Sequence, residues 1–214
     1  MNIVVIFGET TMAKFNGDDI KHLSEGTLMV DVLKLVRGTH VLTPIPEAVA
    51  SELFTFIGTV SVASTTKNFV AAEKFVVNVG EYVTVNISAI SMNFKTWFLK
   101  KIEPSCDGRD LSYHDLVRYS NDTLIISGLG GEKKAETTLT KMFSLMEKQG
   151  HGQKGALLTS GGENIFYIPD VNGVLRVAYV FWCRDGWEVR ARPVAYPGVL
   201  VAVSRVFFGN SDTV

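Results

Sequence analysis

Three stretches of this 214-residue chain carry residue types and spacings that could support chemistry. The first is 123–139, TLIISGLGGEKKAETTL, read as a strand, a glycine loop and the start of a helix. Gly128, Gly130 and Gly131 would leave backbone N–H groups open at the helix start, and Lys133 and Lys134 would add charge that favours a phosphate. The match stops there. A Walker loop needs Ser or Thr after its lysine, whereas Ala135 and Glu136 follow here, and the three glycines do not make the GxGxxG of a dinucleotide fold. The same glycines also suit a tight strand-to-helix turn.

The second stretch is 149–155, QGHGQKG, where glycines flank His151 and Lys154 lies close by. A loop of this kind can present an imidazole and an ammonium to an anionic ligand. It equally suits a plain connector with a solvated histidine. The third is the run around 176–192. Glu188, Arg190 and Arg192 alternate with Trp187, Val189 and Ala191, and Arg176, Tyr179 and Trp182 precede them. The apolar side of that strand is expected to be buried and the charged side wet. A charged face with Arg176 on a neighbouring strand and aromatics nearby has the composition of a protein interface, so Arg176, Trp187, Arg190 and Arg192 are candidate contact residues.

Other reactive types are isolated. His22 and His40 stand alone, and His114-Asp115 lacks further ligands at helical spacing, so no metal site is expected. Cys106 and Cys183 are far apart without a CxxC pair, which points to free thiols in a reducing compartment. No GxSxG elbow surrounds Ser160. No cofactor fingerprint is present, and none is expected to be bound.

The elements that must position these residues are mostly strands. Residues 164–208 read as an antiparallel meander broken at Asn172-Gly173, at Asp185-Gly186 and at Pro197-Gly198. Asn-Gly suits a type I′ hairpin turn, and Asp-Gly suits a longer turn ending in a left-handed residue. The runs 174–183 and 199–208 are apolar at nearly every position, as in strands covered on both faces. Further strands are expected at 3–7, 27–37, 82–90 and 123–127. Helices are expected at 46–57, from a Ser91 cap to about 102, at the cap-like 112–115, and over 135–148. The fold class is therefore α+β: a mainly antiparallel sheet with a C-terminal meander, covered by three or four short helices in a single domain. Two lobes, 1–125 and 126–214, sharing a sheet would also fit.

Composition narrows function by exclusion. Lys and Arg total 21 against 22 Asp and Glu, so no global field holds a polyanion, which argues against nucleic acid as the partner. No run has the apolar length of a membrane span, and the N-terminus lacks a signal-peptide pattern, so a cytoplasmic protein or a particle assembled in the cytoplasm is expected. With no nucleophile, metal cluster or cofactor motif in view, the favoured role is non-enzymatic: a structural or assembly subunit of a multi-protein particle, viral or phage in type. Its partners would be copies of itself or other protein subunits, met through sheet edges and the Arg/aromatic face. The competing role is an enzyme or binding protein that holds an anionic small molecule on the loops 128–131 and 150–155.

Overall fold

A computed structural model describes residues 53–194 and 203–209, and the backbone of two strands near the N-terminus. By its internal contacts the chain divides into Met1–Pro44 and Ile45–Val214. The first unit contains a hairpin of β1 (Ile3–Phe7) and β2 (Thr11–Phe15), antiparallel with Ile3 opposite Phe15. The strand expected at 3–7 is β1. The segment 27–37 lies outside the described residues.

The second unit is built on a seven-stranded sheet. Its strands are β3 (Phe54–Val60), β5 (Ile87–Ile90), β7 (Leu111–Leu116), β8 (Asn164–Pro169), β9 (Leu175–Cys183), β10 (Gly186–Pro193) and β11 (Arg205–Gly209). Their order is β3-β7-β11-β8-β9-β10-β5. Four of the six pairings are antiparallel, and β11 on β8 and β5 on β10 are parallel. A small ladder joins β4 (Phe69–Val70) to β6 (Ile102–Glu103). Five short helices complete the described residues: α1 (Ala71–Lys74), α2 (Met92–Phe98), α3 (Asp122–Gly128), α4 (Glu132–Ala135) and α5 (Leu139–Lys148). The α+β class and the mainly antiparallel sheet are as expected.

Alternation along the strands gives the sheet two unlike faces. On one, Phe166, Ile168, Ala178, Val180, Trp187, Val189 and Phe207 pack with Phe94 and Phe98 of α2 and with Leu139, Met142, Phe143 and Met146 of α5. The α5 stripe is the one its sequence period gives. Thr138 caps the helix, accepting from the Lys141 amide. The buried Glu103 carboxylate accepts from the amides of Leu139 and Thr140 and from the Thr140 hydroxyl, with Lys101 Nζ at 3.2 Å. A charge at that helix start is favourable because it meets unpaired N–H groups. On the opposite face a smaller core of Leu116, Ile165, Tyr167, Val177 and Val206 is covered by Ile125, Ile126 and Ala135 of α3 and α4.

Several local expectations fail, each for a physical reason. Residues 54–60 are a strand and not the end of a 46–57 helix; residues 46–52 lie outside the described ones. Thr55, Ile57, Thr59 and Val60 are β-branched, and pairing with β7 supplies the ladder. The cap-like 112–115 is inside β7, where strands on both sides satisfy the backbone that a helix cap would otherwise serve. Residues 123–127 form α3, because Asn121 Oδ1 accepts from the Leu124 amide and starts a helix in a run whose apolar pattern fits either state. Of the strand expected at 82–90 only Ile87–Ile90 forms. Asn86 Oδ1 takes the Gly80 amide and folds the preceding segment into turns, leaving Tyr82 96% exposed. Ser91 caps α2 as expected, accepting from the Phe94 amide, but the helix stops at Phe98 and Ile102 pairs in β6.

The hairpins differ in detail too. At 170–174 only Gly173 has positive φ, at 77°. The Asp170 carboxylate accepts from the amides of Asn172 and Val174, so an aspartate holds the turn in place of a type I′ pair. Between β9 and β10 the left-handed residue is Arg184, φ 57°. Gly186 serves close packing instead: a Cβ there would lie 2.8 Å from the Ser88 amide nitrogen of neighbouring β5. The last strand does not extend the meander past β10; β11 inserts between β7 and β8. Strand β9 is only partly covered, with Trp182 half-buried.

Candidate functional site

The face bearing the smaller core carries polar and aromatic groups at its two ends. At the β8–β10 end, register puts Val177 opposite Arg192, Tyr179 opposite Arg190 and Phe181 opposite Glu188, all on one side. Asp122, 1% exposed at the start of α3, is paired with Arg192 and accepts from the Tyr167 hydroxyl at 2.9 Å. Burial, and then the Asp122 charge and hydrogen bond, hold that hydroxyl well above the usual tyrosine value. Arg190 gives two hydrogen bonds to Glu188 Oε2, at 2.6 and 3.1 Å, and its guanidinium lies 4.9 Å from the Phe181 ring centre.

Register with β8 ends at Asn164 opposite Val180, so β9 runs on for three residues, Phe181 to Cys183, beyond its neighbour. A cavity of about 320 Å³ sits there, lined by Ser160, Gly161, Gly162, Glu163, Phe181, Trp182 and Arg190. Gly162 is required by close approach, since a Cβ would lie 2.2 Å from the Val203 carbonyl oxygen. Asn164, fully buried, pins the loop by accepting from the Leu158 amide and donating to the carbonyls of Leu158 and Val180. Burial raises the Glu163 carboxyl above its ordinary value; Arg192 and Arg190 pull it down and Asp122 pushes it up.

At the β3–β7–β11 end the same face is aromatic. His114 has ring contacts with Phe208 at 5.0 Å, Phe56 at 5.1 Å and Phe54 at 6.0 Å. Its buried Nδ1 has no hydrogen-bond partner. Burial lowers its pKa, against the raising effect of Asp115. Phe56 is 59% exposed and Ile57, at a bulge in β3, is 42% exposed.

No family model, curated protein or solved structure matches this chain.

The candidate residues read from the sequence are dispersed. Gly128 closes α3, while Gly130 and Gly131 take positive φ of 90° and 100°. Lys133 and Lys134 are exposed on α4, four residues long, so the strand-loop-helix geometry behind the phosphate reading is replaced by two short helices. His151 and Lys154 are exposed, with His151 Nδ1 3.3 Å from Asn86 Nδ2. Their loop is packed rather than open. Gln149 bonds the backbone of Gln153 and Leu157, and a Cβ on Gly150 would lie 1.9 Å from the Thr84 carbonyl oxygen.

The Arg/aromatic surface is largely internal. Trp187 is fully buried, its Nε1 donating to the Gln149 carbonyl. Arg192 serves Asp122, and Arg176 stacks on Trp97 at 4.4 Å while pairing with Asp170. Against the upward push of burial, hydrogen bonds from the Asn172 and Val174 amides and from Arg176 hold the Asp170 carboxyl below its usual value. Of these four, Arg190 alone lines the cavity. Glu163, Phe181, Asp122 and Tyr167 were missed. The legible signal was Glu163 itself, a carboxylate directly after Gly161-Gly162 at the mouth of an apolar strand. Among the described residues no group of three or more His, Cys, Asp or Glu could hold a metal ion, and no helix is long and apolar enough to cross a membrane.

Proposed function

We propose that the chain is a non-enzymatic assembly subunit of a multi-protein particle, joining a second copy or another subunit through the outer edge of β3 and the rings beside it. The observation that carries this reading is the exposure of Phe56 and Ile57, 59% and 42%, on a strand whose outer edge pairs with no described strand. An edge of this kind offers unpaired N–H and C=O groups to an incoming chain, and adjacent apolar side chains add burial. The bulge at Ile57 interrupts the edge ladder, so strand addition is confined to short stretches on either side of it and ring packing on Phe56 contributes the rest. The Arg176, Trp187 and Arg192 surface has no part in this contact, because those side chains are spent inside the chain.

Light scattering after size-exclusion chromatography tests the reading. Oligomers in the wild type that dissociate in Phe56→Ser and in Ile57→Lys are the expected result. A wild type that stays monomeric across a wide concentration range, and that recovers no protein partner bound through this edge, would sink it.

A further inference from the structure

We propose that the recess where β9 overhangs β8 is a binding site for a small organic ammonium, an amine borne on a flat apolar body. The charges around the recess do not balance. Arg190 is matched by Glu188 and Arg192 by Asp122, and these two pairs cancel. Glu163 is then the surplus carboxyl: among the described residues its side chain has neither an ion-pair nor a hydrogen-bond partner, although it lines the cavity. A half-buried carboxyl without a donor is costly to the fold. A cation with N–H donors supplies what the site lacks.

The walls of the recess include two aromatic residues. Phe181 and Trp182, successive residues at the overhanging end of β9, both line the cavity. Neither ring is free to swing away. Arg190 lies over Phe181, and Trp182 is held edge-on to Trp187 at 5.3 Å, with Gly152 so near that a Cβ there would come within 2.4 Å of its ring. A volume of about 320 Å³ is at the lower limit of small-ligand pockets, room for a ring and a short amine tail. An acid fits less well. Arg190 already gives two hydrogen bonds to Glu188, and an incoming carboxylate would face Glu163. Burial raises the Glu163 carboxyl although Arg192 and Arg190 pull it down, and a bound ammonium would add to their pull.

Calorimetric titration of the full chain with 2-phenylethylamine and with 3-phenylpropionate tests this directly. The amine is expected to bind and the acid to bind at least about tenfold more weakly, the usual worth of a hydrogen bond to a charged group. Glu163→Gln keeps the shape and removes the charge, and should weaken the amine by a similar factor. Ser160→Trp, placed on the exposed loop so that folding is undisturbed, should abolish binding by filling the recess. The inference is overturned if the amine gives no heat or thermal shift, if the acid binds as well as the amine, or if both variants bind the amine like the wild type.

Discussion

At the β8–β10 end of the sheet face two guanidinium groups each sit against a carboxylate and a buried tyrosine hydroxyl has an acceptor, whereas at the β3–β7–β11 end an imidazole lies among three phenylalanines with one nitrogen unpartnered. The contrast separates two ways of placing polar groups near a core. A charge that leaves water must be met by an opposite charge and by hydrogen bonds, and at the first end Asp122 meets Arg192 and Glu188 meets Arg190, with Glu163 left over. A neutral imidazole among rings costs less, and the second end leaves that cost standing beside an exposed edge. At the charged end Asp122 is buried while the Arg190 side chain is 47% exposed, and the aromatic end meets solvent at Phe56.

The strongest way to break the comparison is to remove Asp122. Asp122→Ala leaves the Arg192 guanidinium without its counter-ion and the Tyr167 hydroxyl without its acceptor, both close to the core. Loss of one partner of a buried pair costs about 3–5 kcal/mol, and urea unfolding should record a drop of that size. A loss below about 1 kcal/mol, typical of exposed pairs, would place the pair in effective contact with water and remove the distinction between the two ends.

At the aromatic end the sign reverses. Replacing His114 by Phe removes a buried ring nitrogen that nothing satisfies and keeps a ring of similar shape between Phe54, Phe56 and Phe208. A gain of about 1 kcal/mol is expected, the low end of the cost of an unsatisfied group. A clear decrease in melting temperature would mean that Nδ1 has a partner and that the cost is already met.

How much of this was legible follows from which forces are local. The α5 stripe, the Ser91 cap and the β8–β9–β10 meander rest on periodicity and on residues a few positions apart, and each could be read from the chain. What escaped depends on distant partners. Residues 123–127 look the same as strand or helix until Asn121 is recognised as a cap, and Ser112 to Asp115 form a strand because β3 and β11 flank them. Arg192 reads as surface because alternation gives a side of the sheet and not its cover, and Trp187, set by the same alternation on the apolar side, counts as a contact residue only for lying near the arginines. Only the folded chain puts the Gln149 carbonyl on Trp187 and Asp122 on Arg192. The recess was invisible for the same reason: it exists where β9 outruns β8, a matter of register between segments 16 residues apart at Asn164 and Val180.

The smallest effect concerns pH, and it sets the two ends against each other. His114 is held below the ordinary histidine value of about 6.5, so in the window below that value the unfolded chain binds more protons than the folded one. Stability should therefore fall as pH drops below about 6.5, with burial as the cause and Asp115 opposing it. Glu163 is held above its ordinary value of about 4.5, with Arg192, Asp122 and Arg190 acting on it and Tyr179 close by on β9, so there the folded chain binds more protons. Its contribution must decline as pH rises from about 4.5 through the raised value. Difference curves against the two variants separate the terms. The stability gained in His114→Phe should grow toward acid, and that gained in Glu163→Gln should grow toward neutral pH. Differences that stay flat with pH would mean that neither group is desolvated, and that water reaches both ends of the face alike.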